Sequence, residues 1–131
     1  MDEVPIRSGD DVVRVRQQVR NAAAENGLSL VDQTKLVTAA SELARNTLVH
    51  GGGGMAQIEV VKSGNGRAGV KLHFTDEGPG IADIALALTD GWTSGTGLGL
   101  GLSGARRLVD EFELDSKPGA GTSVMVVKWS R

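Results

Sequence analysis

The sequence predicts an α+β domain: a two-layer α/β sandwich in which one mixed sheet carries helices on a single face. Two observations lead there. Apolar residues recur at helical spacing in two long stretches, at Val12, Val15, Val19 and Ala22 and again at Leu36, Ala40, Leu43 and Ala44. Later runs read as strands, namely IEVVK, VKLHF and TSVMVVKW, with glycine-rich turns between them. At 131 residues the chain is large enough for one core and too small for two, so residues 1–131 are read as one domain.

In order, residues 4–7 are short and suit an edge strand. Ser8 followed by Asp11 has capping-box spacing, with Asp in place of Glu. A helix is expected over 10–25, with Gly27 as its stop. A second helix is expected over 31–50, its apolar stripe made by Leu36, Ala40, Leu43, Ala44 and Thr47 or Leu48; the glycines 51–54 end it. Strands over 58–62 and 70–74 flank SGNGRAG, whose Asn65-Gly66 suits a hairpin. After DEGPG, a short helix is expected over 81–88, a glycine-rich lid over 89–102, and a third main helix over 105–111. Strands over 112–116 and 122–129, joined by the turn KPGAG, complete the chain.

Composition excludes several function classes. The formal charge of −2 gives no basic footprint for nucleic acid. Two Trp, two Phe and no Tyr are too few aromatics for base-stacking platforms and leave the core to Val, Leu, Ile and Ala. With no Cys there is no disulfide, thiol nucleophile or thiolate zinc site, which fits a reducing cytoplasm. The acidic start MDEVPIRSGDD lacks the apolar segment of a signal peptide, and no run is long enough to span a membrane.

Three stretches carry candidate chemistry. GWTSGTGLGLGLSG runs into ARRLVDEF; glycines let main-chain N–H groups crowd around an anion, and a following helix adds free N–H groups. A flexible linker is the alternative, but Leu98, Leu100 and Leu102 argue against it. On the second helix, Glu42, Arg45, Asn46 and Val49 share one side at the border of the apolar stripe. A carboxylate there can take a proton or orient a nucleophile, and the Asn carbonyl oxygen suits magnesium. The competing reading is a solvated face with a Glu42–Arg45 contact. Finally, Asp76 ends an apolar strand, where a carboxylate can accept from an exocyclic amine, and Gly78 and Gly80 would admit a flat ring. The same residues also make an ordinary turn.

Taken in order, helix ELARN (42–46), strand-end DEGPG (76–80) and GLGLG (97–101) resemble the N box and two glycine boxes of the GHKL superfamily, the Bergerat-fold ATP-binding domains of gyrases, sensor histidine kinases and certain chaperones. Thr122 in GAGTS matches that superfamily's later Gly-Thr position. More narrowly, VDQTKLVTAASELARN, DGWTS, GLGLGLSGARRLVDEFELDS and the KW near the end are similar to the RsbT-type switch serine-protein kinases of bacterial stress-signalling complexes (stressosomes), relatives of the anti-sigma-factor kinases.

That resemblance implies a mixed, mostly antiparallel sheet with a glycine-rich ATP lid, and ATP and Mg2+ as cofactors. It implies that Asn46 holds the magnesium, that Glu42 is the general base or orients the incoming serine hydroxyl, and that Asp76 accepts from the adenine amino group with Thr122 nearby. Gly78 and Gly80 would allow close approach of the nucleotide. Gly97, Leu98, Gly99, Leu100 and Gly101 would lie against the phosphates as the lid closes. The implied substrate is a STAS-domain partner in a partner-switching circuit, after which the kinase activates a metal-dependent protein phosphatase by binding it. The implied setting is cytoplasmic, without nucleic acid or membrane. An anti-sigma factor of the same fold, with a sigma factor as partner, is the alternative. A binding protein that uses nucleotide only as a switch is a further one.

A sensor histidine kinase would need a separate helical domain with an acceptor His. His50 and His73 have no such setting and are read as structural. Gly99–Gly104 matches GxGxxG, but it lies after a glycine-rich loop near the carboxyl end and does not open a βαβ unit, so a dinucleotide fold is rejected. No role is assigned to Arg45, Arg106 and Arg107.

Overall fold

The computed structural model describes residues 2–80 and 101–131. Within them the chain runs β1 (Asp2–Ile6), α1 (Gly9–Glu25), α2 (Leu30–Val49), β2 (Gly54–Lys62), β3 (Ala68–Asp76), α3 (Gly101–Arg107), β4 (Glu111–Ser116) and β5 (Thr122–Trp129). The strands form a five-stranded sheet in the order β1-β2-β3-β5-β4, and every described pairing is antiparallel. The mixed sheet expected from sequence is therefore antiparallel throughout the described residues: β2–β3 and β4–β5 are hairpins, while β1–β2 and β3–β5 are joined through longer connections that include helices. The expected helix over 81–88 and most of the lid over 89–102 lie outside the described residues.

Alternation places the core. Val4 and Ile6 of β1, Ala56 and Ile58 of β2, Val70, Leu72 and Phe74 of β3, and Val124 and Val126 of β5 point to one face and are buried. Register aligns them across the sheet: Ala56 faces Phe74, which faces Val124, and Ile58 faces Leu72, which faces Val126. Helices α1 and α2 pack on that face through Val15, Val19, Leu36, Ala40 and Leu43, so the layers are two and the helices lie on one side.

Caps and boundaries depart from local expectation in several places. Ser8 is the N-cap of α1, but its side chain caps nothing; Asp11 instead accepts from the Arg7 backbone N–H at 2.8 Å. The working cap is on α2, where Ser29 accepts from the Asp32 N–H at 3.1 Å. The β2–β3 connection is a five-residue loop, 63–67, closed by Ser63 N–H to the Arg67 carbonyl at 2.8 Å, with Gly66 at φ 82. And α3 starts at Gly101 and ends at Arg107, rather than spanning 105–111, because Leu102, Ser103 and Ala105 bury against α2.

A charged cluster ties the end of the chain to both layers. Lys128 shares the core-facing phase of Val124 and Val126 and is buried, with its ammonium 3.6 Å from Asp32 and 3.5 Å from Asp110. Arg131 adds pairs to Asp110 at 2.6 Å and Asp32 at 3.6 Å. A buried ammonium is tolerable only when paired in this way. Asp110 also accepts the Trp129 N–H at 2.8 Å.

Candidate functional site

Helix α2 and the glycine run that follows it touch both of the other candidate stretches: Glu42 reaches Gly101, and Gly51 lies against Asp76 and Gly78. From α2 comes Glu42, buried at 8% exposure, in phase with Asn46 one turn later. Its Oε1 accepts the backbone N–H of Gly101 at 3.0 Å. That contact joins the α2 carboxylate to the end of the GLGLG run and decides against the solvated Glu42–Arg45 alternative. Arg45 itself is exposed. Asn46 is half-buried; its carbonyl accepts the N–H groups of His50 (3.0 Å) and Gly51 (3.1 Å), which closes the helix and turns the chain into the glycine run. Its side-chain amide makes no hydrogen bond among the described residues, and so is available to a ligand.

Asp76 is the last residue of β3 and pairs with Gly54 on one side and Thr122 on the other. Asp76 and Thr122 thus project to the same face as Phe74 and Val124, toward the helices. Asp76 Oδ1 accepts the Gly78 N–H at 2.9 Å, fixing the carboxylate and leaving Oδ2 for another donor. Thr122 Oγ1 lies 2.9 Å from Ser116 Oγ, which donates to the Gly121 carbonyl at 2.9 Å.

The glycines of DEGPG are required by close protein approach. A Cβ at Gly78 would sit 2.7 Å from the Gly51 Cα, and one at Gly80, where φ is +75, would strike the Lys117 carbonyl. Gly119 N–H donates to the Pro79 carbonyl at 2.7 Å, so this loop is stitched to the turn between β4 and β5. Gly121, at φ +80, packs on the Asp76 carbonyl. Gly51 is not marked as a site residue by local sequence, since it matters through Asp76 and Gly78, far along the chain. Gly97, Leu98, Gly99 and Leu100 lie outside the described residues; Gly101 is the one member of that run whose place is seen.

His73 sits on the opposite face of the sheet, its Nε2 2.6 Å from Ser123 Oγ, and His50 is exposed at the end of α2. His73 thus faces away from the site. Among the described residues no group of three or more His, Asp or Glu side chains is arranged to hold a metal. The hard amide oxygen of Asn46 fits a cation that takes most of its ligands from phosphate and water, as magnesium does. No helix among the described residues is long and apolar enough to cross a membrane.

Comparison with known proteins identifies the family and the fold. Residues 31–130 match the family described as histidine kinase-, DNA gyrase B-, and HSP90-like ATPase. The chain is 46% identical, over 92% of its length and 90% of the relative's, to the serine/threonine-protein kinase RsbT of Bacillus subtilis (strain 168). It is 29% identical, over 87% of its length and 82% of the relative's, to the anti-sigma F factor of Thermoanaerobacter sp. (strain X514). Among solved structures, the RsbU and RsbW domains of a Mycobacterium tuberculosis protein align over all of this chain and 33% of that longer one, with a TM-score of 0.64 and 23% identity. A mycobacterial sensor histidine kinase, MprB, aligns over 99% of this chain and 97% of that one, with a TM-score of 0.59 and 19% identity. At such identities these structures speak to the fold alone. By sequence and by architecture, the chain belongs to the histidine kinase-, DNA gyrase B- and HSP90-like ATPase family.

Proposed function

We propose that this protein is a cytoplasmic, ATP-dependent serine/threonine-protein kinase that works as a partner switch, phosphorylating a STAS-domain protein and then binding and activating a metal-dependent phosphatase. The observation that supports it most is the 46% identity to a serine/threonine-protein kinase over 92% of the chain. The side chains at the three boxes are consistent with it. Asp76 Oδ2 accepts from the adenine amino group, with Thr122 beside it. Asn46 binds the magnesium of Mg-ATP; that ion, when bound, neutralises triphosphate charge. Gly78 and Gly80 let the DEGPG loop hold its shape under the base, and Gly97, Leu98, Gly99, Leu100 and Gly101 line the phosphates with main-chain N–H groups.

Transfer requires positioning and charge neutralisation more than covalent help from the protein. The serine oxygen bonds to the γ-phosphorus, the bond to the β–γ bridging oxygen breaks, ADP departs, and Glu42 takes or orients the hydroxyl proton. With Oε1 held by Gly101, Glu42 meets the hydroxyl through Oε2.

The test is to incubate the chain with labelled ATP, magnesium and STAS-domain proteins of the same genome. Phosphate on a serine or threonine supports the kinase, and its absence from every candidate refutes it. The 29% identity to an anti-sigma F factor favours one second reading, sequestration of a sigma factor. Tight sigma-factor binding without phosphotransfer would select it.

A further inference from the structure

Gly51, which lies in none of the three boxes, sits where two of them, ELARN and DEGPG, meet. Its N–H donates to the Asn46 carbonyl at 3.1 Å. Its Cα and carbonyl lie against Gly78, 2.7 and 2.9 Å from where a Cβ there would stand. On its third side is Asp76: a Cβ built on Gly51 would lie 2.5 Å from Asp76 Cβ and 2.6 Å from Oδ2, the oxygen that Gly78 leaves unused. Gly52 and Gly53 next to it have φ of 73 and 107, but Gly51 does not adopt a left-handed conformation. Its backbone would therefore accept alanine, and only the space occupied by Asp76 demands glycine.

We infer that Gly51 is a positioning residue for base selection: the absent side chain seats the Asp76 carboxylate with Oδ2 toward the purine amino group, and ties that seat to the turn made by Asn46. Any side chain at position 51 displaces the carboxylate and so removes the preference for a 6-amino purine. This rests on the reading of Asp76 as the adenine acceptor.

The experiment is calorimetric binding of ATP and of purine riboside triphosphate, which lacks the 6-amino group, each with magnesium, to the full chain and its Gly51→Ala and Asp76→Asn variants. The parent should prefer ATP by roughly tenfold to a hundredfold, the range of one hydrogen bond to a charged group. Gly51→Ala should lose that preference while its far-ultraviolet circular dichroism stays that of the parent. Retained preference in Gly51→Ala, or equal weakening of both nucleotides, overturns the inference while leaving Asp76 in place. Absence of preference in the parent, or its survival in Asp76→Asn, overturns the reading of Asp76 itself. If Gly51→Ala does not fold, Gly51→Ala/Asp76→Gly decides: removing the Asp76 side chain should restore folding, and a double variant that stays unfolded overturns the steric account.

Discussion

Replacing Glu42 separates two tasks that its carboxylate performs at once. Oε1 accepts the Gly101 N–H at 3.0 Å, so the side chain holds the first turn of α3 against α2 as well as serving transfer. Glu42→Gln keeps an acceptor oxygen of the same reach and loses the base. It should fold like the parent and transfer phosphate more slowly by about 10²–10⁴, the usual contribution of a positioned general base. Glu42→Ala loses both. It strands a part-buried N–H, at a cost of about 1–3 kcal/mol. For a domain of this size that lowers the melting temperature by roughly 3–12 °C. Thermal denaturation followed by circular dichroism, beside transfer assays with labelled ATP, reads the two effects separately. Parent-like transfer by Glu42→Gln would refute the base role, and parent-like melting of Glu42→Ala would refute the structural one.

Other residues make independent predictions. Asn46→Ala should abolish magnesium-dependent ATP binding in calorimetry while leaving the melting temperature within a few degrees, because its side-chain amide supports no contact among the described residues; unchanged affinity would remove it from the site. Asp76→Asn keeps an acceptor for Gly78 but turns an amide N–H2 toward the base, so ATP affinity should fall by roughly tenfold or more; binding equal to the parent would count against that role. Asp110 predicts acid sensitivity. Burial works to raise its carboxyl, but the Trp129 N–H, Lys128 and Arg131 outweigh that and hold it below 3.8. A carboxyl lowered on folding adds stability above its unfolded value of 3.8, and that contribution is lost as pH falls through the folded value. Urea midpoints at pH 7 and pH 3 should differ less in Asp110→Asn than in the parent; an identical drop in both would contradict it.

The sequence makes some of this visible and hides the rest for physical reasons. The stripe Leu36, Ala40, Leu43, Ala44 and Thr47 is buried as its spacing predicts, because helical period and core contact coincide there. Strand β5 spans 122–129 as expected, since its alternation is strong. The alternation places the start of β2 at position 58, but the strand begins at Gly54, where pairing with Ile6 and Asp76 extends the ladder into a stretch whose glycines locally read as a break. Helix α3 starts inside a glycine-rich run for a similar reason: burial of Leu102 and Ala105 outweighs the weak helix preference of Gly101 and Gly104. Asp11 misses the Ser8 cap because the shorter acid reaches Arg7 instead. At the site, ELARN, DEGPG and GLGLG could be read in order, yet the contact of Glu42 with Gly101 and the packing of Gly51 under Asp76 exist only in three dimensions.

The most direct measurement is a crystal structure of the chain soaked with magnesium and a non-hydrolysable ATP analogue. The purine amino group should lie within hydrogen-bond distance of Asp76, with the triphosphate running toward Asn46 and Glu42. Nucleotide bound instead on the opposite face of the sheet, beside His73 and Ser123, would contradict the account.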